Sequence, residues 1–219
     1  MDSYIQKARD ILSQFGATCK TSVIPPIGQT KDELIFILDA VKKANPSIIV
    51  EIGTAQGGFI FMLSYILKDT NKTFISIDPW SKGTKYEKSF KIYQNTIKKL
   101  KSRFRSNRYL YIPEKSTSKN ALNTLKKILN RKKIDSLFID GDHSYETAAY
   151  DFNTYQNLVK KNGIIALHDI GGYEGVAKVW DKIKDKNEYI QIYEMIKKGK
   201  PLLKESEEKL LGVGYLLKK

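Results

Sequence analysis

Five short apolar runs constrain this chain's fold more than any other feature: SIIVEI (47–52), TFISID (73–78), YLYIP (109–113), DSLFID (135–140) and GIIALHD (163–169). They are mostly unbroken by polar residues, as strands buried on both faces are. The stretches between and around them show helical periodicity, at 31–44, 58–68, 86–104, 118–130, 146–161 and 174–185. Strands that alternate with helices need right-handed crossovers, so the pattern predicts a doubly wound α/β sheet. YIQIYEMI (189–196) and LLGVGYLL (210–217) are two later strand candidates. The Pro/Gly break VIPPIG (23–28) separates an N-terminal helix from the sheet domain, which predicts a helical extension over 1–28 and one domain over 29–219. A chain of 219 residues is long enough to bury such a core.

Composition excludes several alternatives. With 41% hydrophobic and 28% charged residues the chain is not of the disordered class. The lone Cys19 rules out a disulfide framework and fits a reducing compartment. The opening MDSYIQKARDILSQFG lacks the apolar core of a signal peptide, and no run is long enough to span a membrane, so a cytoplasmic protein is expected. The formal charge of +14 is unevenly placed. Residues 82–133 carry seventeen Lys or Arg against only Glu87 and Glu114, whereas the rest of the chain is near neutral. Such a segment is either a solvated pair of helices or a patch for a polyanion, an acidic membrane or an anionic substrate.

Ligands of doubly wound sheets bind beyond the carboxyl ends of the strands. Glu51, Asp78, Asp140 and the pair His168–Asp169 all fall at such ends. Carboxylates gathered there need compensating donors, metal or ligand. After the first run comes EIGTAQGGF, with Gly53, Gly57 and Gly58. An acid before a glycine loop is a poor neighbour for a pyrophosphate and a good one for an ammonium group. Asp78, one βαβ unit later, is placed to accept hydrogen bonds from two ribose hydroxyls. By itself the loop could also be only a tight turn.

The spacing E-x-G-x-x-x-G of Glu51, Gly53 and Gly57, followed by Asp78, resembles the class I S-adenosylmethionine-dependent methyltransferases. That resemblance implies a Rossmann-like sheet of seven strands, mostly parallel with the last antiparallel, and helices on both faces. It also implies S-adenosylmethionine as cofactor, held by Glu51, Gly53, Thr54, Gly57, Asp78 and Asp140. Ser116 matches a position that contacts adenine, although Glu114 and Lys115 stand where the family often has Gly-Asp. Pro79 and Trp80 either wall the adenine or, for Trp80, join the core.

FIDGDHSYE (138–146), NGIIALHDI (162–170), GVAKVW (175–180) and the terminal GVGYLL (212–217) are similar to one branch of that family. The branch contains macrocin-type and rhamnosyl O-methyltransferases and proteins named as cephalosporin hydroxylases. It implies methyl transfer to a hydroxyl of a small acceptor, a sugar or natural product, often beside a divalent cation. Asp140 and His143 are then the expected catalytic pair, since His143 occupies the place of the base in metal-using members. An imidazole with a pKa near ~6.5 suits that role. The other reading of Asp142, His143 and Ser144 is a loop that caps the next helix. Asp140 and Asp169, with His168 or Asp142 as a third ligand, form the expected metal set. Magnesium favours all-oxygen sites, and an imidazole tilts the set toward manganese, iron, zinc or no metal. Gln29 is either substrate-side or a helix cap, and Tyr145, Tyr150 and Tyr173 line the acceptor or belong to the core. Lys178 and Trp180 read as surface and packing. Partners follow from these readings: a small hydroxylated acceptor, a polyanion at 82–133, and a homo-oligomer that the sequence leaves open. A nucleic-acid methyltransferase and a non-catalytic basic binder of the same cofactor are the alternatives.

Overall fold

A computed structural model of the chain describes residues 2–21, 23–68, 70–184, 186, 189–202 and 209–219. The elements are α1 (Asp2–Gln14), α2 (Lys31–Ala44), β1 (Ile48–Ile52), α3 (Gly58–Leu67), β2 (Thr73–Ile77), α4 (Glu87–Arg103) and β3 (Arg108–Ile112). They continue with α5 (Lys119–Leu129), β4 (Ile134–Ile139), α6 (Tyr145–Tyr155), β5 (Val159–His168), α7 (Glu174–Lys184), β6 (Tyr189–Gly199) and β7 (Lys209–Lys218). The strands form one seven-stranded sheet in the order β3-β2-β1-β4-β5-β7-β6. Neighbours from β3 to β5 pair in parallel, and β7 runs antiparallel to both β5 and β6. This is the doubly wound, Rossmann-like architecture expected, with the last strand reversed.

Period-two alternation sends side chains to two separate cores. Ile49, Phe74, Tyr109, Phe138, Ile164 and Ala166 pack under α1 to α4. Val50, Ile75, Leu137, Ile165 and Leu167 pack under α5 to α7. The helix α3, GFIFMLSYIL, is apolar nearly all round because it is covered on every side, and nine of its ten residues are buried. Ala8, Ile11 and Leu12 of α1 are fully buried in the first core, so the N-terminal helix is packed onto the sheet domain.

One expected boundary is corrected. The helix expected over 146–161 stops at Tyr155, a 3-10 turn covers Gln156–Leu158, and β5 begins at Val159, before the expected 163. Val159 pairs with Ile134 and Lys160 bridges Asp135 at 2.6 Å, partners that helical periodicity does not register. A bulge follows, at which Asn162 takes φ 60° before regular pairing resumes at Ile164. Asp185, the last residue of the helix expected over 174–185, lies outside the described residues.

Strand order reverses between β1 and β4. The crevice beyond their carboxyl ends is therefore the switch point at which such sheets hold ligands. Register brings Ile52 beside Ile139, so the glycine loop after β1 and Asp140 after β4 emerge side by side.

Candidate active site

The turn after β1 is built for close approach. Gly53 has φ 82°, and a Cβ there would lie 1.9 Å from the Asp140 carbonyl oxygen. Gly58 is as confined, since its Cβ would meet the Pro26 carbonyl oxygen at 2.1 Å. Gly57, with φ 81°, caps α3 without a side-chain hydrogen bond, which leaves amides at the helix start for a ligand. Glu51 is buried at the base of this loop, and one carboxyl oxygen accepts from the Thr54 hydroxyl at 2.5 Å. Burial pushes its pKa up to about 8, the Thr54 bond opposes that, and the charges of Asp140 and Asp78 add to the rise. Behind it, Ser76 donates to Thr54 and Tyr93 of α4 donates to Ser76, so one hydroxyl chain connects the helix to Glu51.

Asp78 lies just past β2 and is buried. It accepts from the backbone N–H groups of Ala55 at 3.0 Å and Trp80 at 2.9 Å. Burial raises its pKa, and those amides pull the other way. Pro79 is exposed, while the half-buried Trp80 stacks on Tyr86 with ring centroids 4.8 Å apart. Ser116 is buried after β3, where its carbonyl accepts from the Tyr155 hydroxyl at 2.6 Å. Its hydroxyl lies beside Asp151 of α6, a carboxyl only 1% exposed that also borders Gly141. Burial pushes the Asp151 pKa up to about 7, against the pull of Ser116.

The second half of the site gathers both histidines. His143 Nε2 lies 2.8 Å from Asp169 Oδ2, and its ring stacks on Tyr173 at 3.8 Å between centroids. The Asp169 hydrogen bond raises the His143 pKa, with burial opposing. His168 ends β5 and is 5% exposed. Its Nδ1 faces both Asp140 and Asp169 at 3.3 Å, and its Nε2 faces Glu33 of α2 at 3.3 Å. Burial alone would depress its pKa, but three carboxylates outweigh burial and hold it well above the ordinary value. Asp169 is lowered in turn: the two histidines overcome its own burial. It also adopts φ 63°, which turns the chain sharply out of β5 toward Gly171 and Gly172. Asp140, His143 and Asp169 place one ligand atom each within 4.8 Å of one another.

One cleft of about 650 Å³ joins the two halves, lined among others by Gln29, Glu51, Thr54, Asp140, His143, His168, Asp169 and Tyr173. The expected residues Glu51, Gly53 and Thr54 are in its wall. Asp78 is joined to it through Ala55, whereas Trp80 and Ser116 lie outside its lining. Gln29 lies in the cleft wall, where its amide donates to Asp140 at 2.7 Å, and Thr30 rather than Gln29 supplies the helix cap. Tyr173 reaches the cleft, but Tyr145 and Tyr150 pack on the second core. Asp142 accepts from the Ser144 amide and Ser144 caps α6, so the loop serves as a cap as well as carrying His143.

Glu33 belongs to the site without being marked for it in the sequence. Its place in T-K-D-E signals a capping box, and the box is present: Glu33 receives the Thr30 amide and donates its own to Thr30. The second carboxyl oxygen, turned to His168, is a tertiary contact with no local signature. Asp151 likewise lacks one, since a single acid on an amphipathic helix reads as surface.

The family described as a methyltransferase domain matches residues 50–170, more than half of the chain, and this chain belongs to that family. A protein of Acanthamoeba polyphaga mimivirus is 33% identical over 124 residues, which cover 57% of this chain and 52% of that protein; the chain thus spans about half its length. Among solved structures, the fold is similar to the O-methyltransferase TomG of Streptomyces achromogenes, involved in tomaymycin synthesis and crystallised with S-adenosylmethionine. That match has a TM-score of 0.61 and 13% identity, covering 100% of this chain and 91% of TomG. It is similar also to an O-methyltransferase of Bacillus cereus in complex with S-adenosylhomocysteine (TM-score 0.60, 14% identity, covering 100% and 92%).

Proposed function

We propose that this methyltransferase-family chain transfers the methyl group of S-adenosylmethionine to a hydroxyl of a small molecule, of sugar or natural-product type. The observation that carries this reading is the His143–Asp169 pair, which opens into the same cleft as the glycine loop and Glu51. The cofactor supplies a methyl group already activated by the sulfonium charge. Glu51, once ionised, receives its ammonium group, Asp78 its ribose hydroxyls, and Ser116 with Pro79 and Trp80 its adenine. The chain must then align the acceptor oxygen and remove its proton. Proton removal falls to His143. Asp169 holds Nε2, and Nδ1 has no side-chain partner among the described residues, so it is the nitrogen that takes the hydroxyl proton. As the oxygen–carbon bond forms, the sulfur–carbon bond breaks, and the proton rests on His143. Asp140 borders the point of transfer and is held by Gln29.

A second reading rests on the grouping of Asp140, His143 and Asp169. Two carboxylates and an imidazole suit manganese, iron or zinc, and such an ion would stabilise the developing alkoxide. In both readings we assign His168 a role behind the carboxylates: an internal imidazolium, clamped by Glu33, that holds Asp140 and Asp169 in place. A nucleic-acid acceptor has no specific support in the cleft.

Calorimetry with S-adenosylmethionine tests the cofactor half, and Asp78→Ala should weaken binding at least about tenfold. A methylation screen over hydroxylated metabolites, with and without chelator, tests the rest. Activity that survives chelation but drops about a hundredfold or more in His143→Ala assigns the base. Activity lost to chelator in the wild type assigns the metal reading. Wild-type turnover by His143→Ala refutes both roles.

A further inference from the structure

We propose that the β3 edge of the sheet, with α4 and α5 on either side, is a docking surface for single-stranded nucleic acid, separate from the acceptor cleft. The topology converts a basic stretch of sequence into a continuous surface. β3 is the outermost strand, α4 packs against one face beside it and α5 against the other. All seventeen Lys and Arg of residues 82–133 are exposed. None of them takes part in an ion pair among the described residues. Elsewhere Lys43, Lys160, Lys178, Lys184 and Lys197 each pair with a carboxylate. Among the described residues no carboxylate pairs with the cations of this edge, and a large one-signed field of that kind attracts a polyanion.

The shape of the edge selects among polyanions. A groove of about 560 Å³ runs between α4 and β3, with Phe90 and Tyr111 half-buried in it and Lys98 and Lys101 on its rim. Aromatic rings set among cations are the platform on which unpaired bases stack while phosphates meet the lysines. A duplex keeps its bases inside and has no use for the rings. A membrane needs exposed apolar side chains to insert, and within 82–133 the large exposed ones are only Tyr86 and Ile92. The groove shares no lining residue with the cleft that holds His143, so the bound strand anchors the protein rather than accepting methyl groups.

The test is fluorescence anisotropy of the full chain with labelled single strands of about 16 nucleotides, RNA and DNA, across a salt series. Binding should weaken steeply with salt. The triple variant Lys98→Gln, Lys101→Gln, Arg108→Gln should bind at least about tenfold more weakly at about 0.1 M salt, with the logarithmic salt slope shallower by roughly 2. An abasic phosphodiester strand of equal length should bind at least about fivefold more weakly, because it has no bases to stack on the rings. Absence of binding at about 50 mM salt overturns the proposal, as does equal affinity in the triple variant. Equal affinity for the abasic strand or for polyglutamate reduces the surface to generic attraction and overturns the nucleic-acid assignment. Binding to phosphatidylserine vesicles without binding to oligonucleotides does the same. S-adenosylmethionine binding by the triple variant should be unchanged, which keeps failure here distinct from failure of the proposed reaction.

Discussion

Glu51 and Asp151 are both carboxyls pushed toward neutrality by burial, yet they make opposite predictions. Glu51 faces the cleft with a pKa of about 8 and must ionise to hold an ammonium group. Affinity for S-adenosylmethionine should therefore rise with pH, by up to about tenfold per unit, toward about pH 8, and fall again above it as the ligand's own amine loses its proton. Titration calorimetry at several pH values reads this directly, and Glu51→Gln should flatten the dependence while weakening binding throughout. Asp151 has a folded pKa of about 7 against an ordinary 3.8. The folded state thus favours its protonated form, so its contribution is fully present below about pH 4 and is lost as pH rises to about 7. Asp151→Asn should be more stable than the wild type above about pH 7, by on the order of 3 kcal/mol, with the gain vanishing near pH ~4. Urea melts at about pH 4.5 and about pH 8 decide it, and equal midpoints of variant and wild type at both would sink the idea. At this scale the sequence exposed Glu51, Asp78, Asp140 and His143, because each falls at a strand end or in a loop with recognisable spacing. Glu33 and Asp151 stayed hidden because their partners, His168 and Ser116, are brought to them only by packing.

Among the elements, α2 binds local stability to the site. Thr30 caps the helix and fixes Glu33, whose other oxygen reaches His168. Thr30→Ala should cost about 1 kcal/mol of stability by loss of the cap. It should also reduce methyl transfer more than an exposed helix substitution of equal cost, which a paired melt and activity assay can separate. If activity falls only in proportion to folded protein, the link from Glu33 to His168 has no role. Helix and strand positions were legible because apolar runs and capping residues are local signals. The early start of β5 was not, since Lys160, Lys161 and Asn162 read as helical or loop residues until Ile134 and Asp135 stand beside them. The pairing order of β6 and β7 is likewise decided by contacts distant in sequence.

In the whole molecule, the chemistry is assembled from segments far apart along the chain. Gln29 and Asp140 are separated by 111 positions, and the Gln29 carbonyl also receives the Leu202 amide. The alternation of strands and helices foretold the sheet and its switch point, and so the neighbourhood of the cleft. It did not foretell that residues before the first strand would form one wall and Pro201 with the start of β7 another. Yet this arrangement carries a mechanical meaning. A ligand gripped in the cleft fastens the segment before α2 to the start of β7, like a stitch drawn through two distant folds of a cloth. Amide hydrogen exchange in α1 and β7, neither of which holds the reacting atoms, should slow when the cleft is filled, and protease nicking beside Gln29 should cease. Occupancy would then be announced at the periphery of the chain before any product forms.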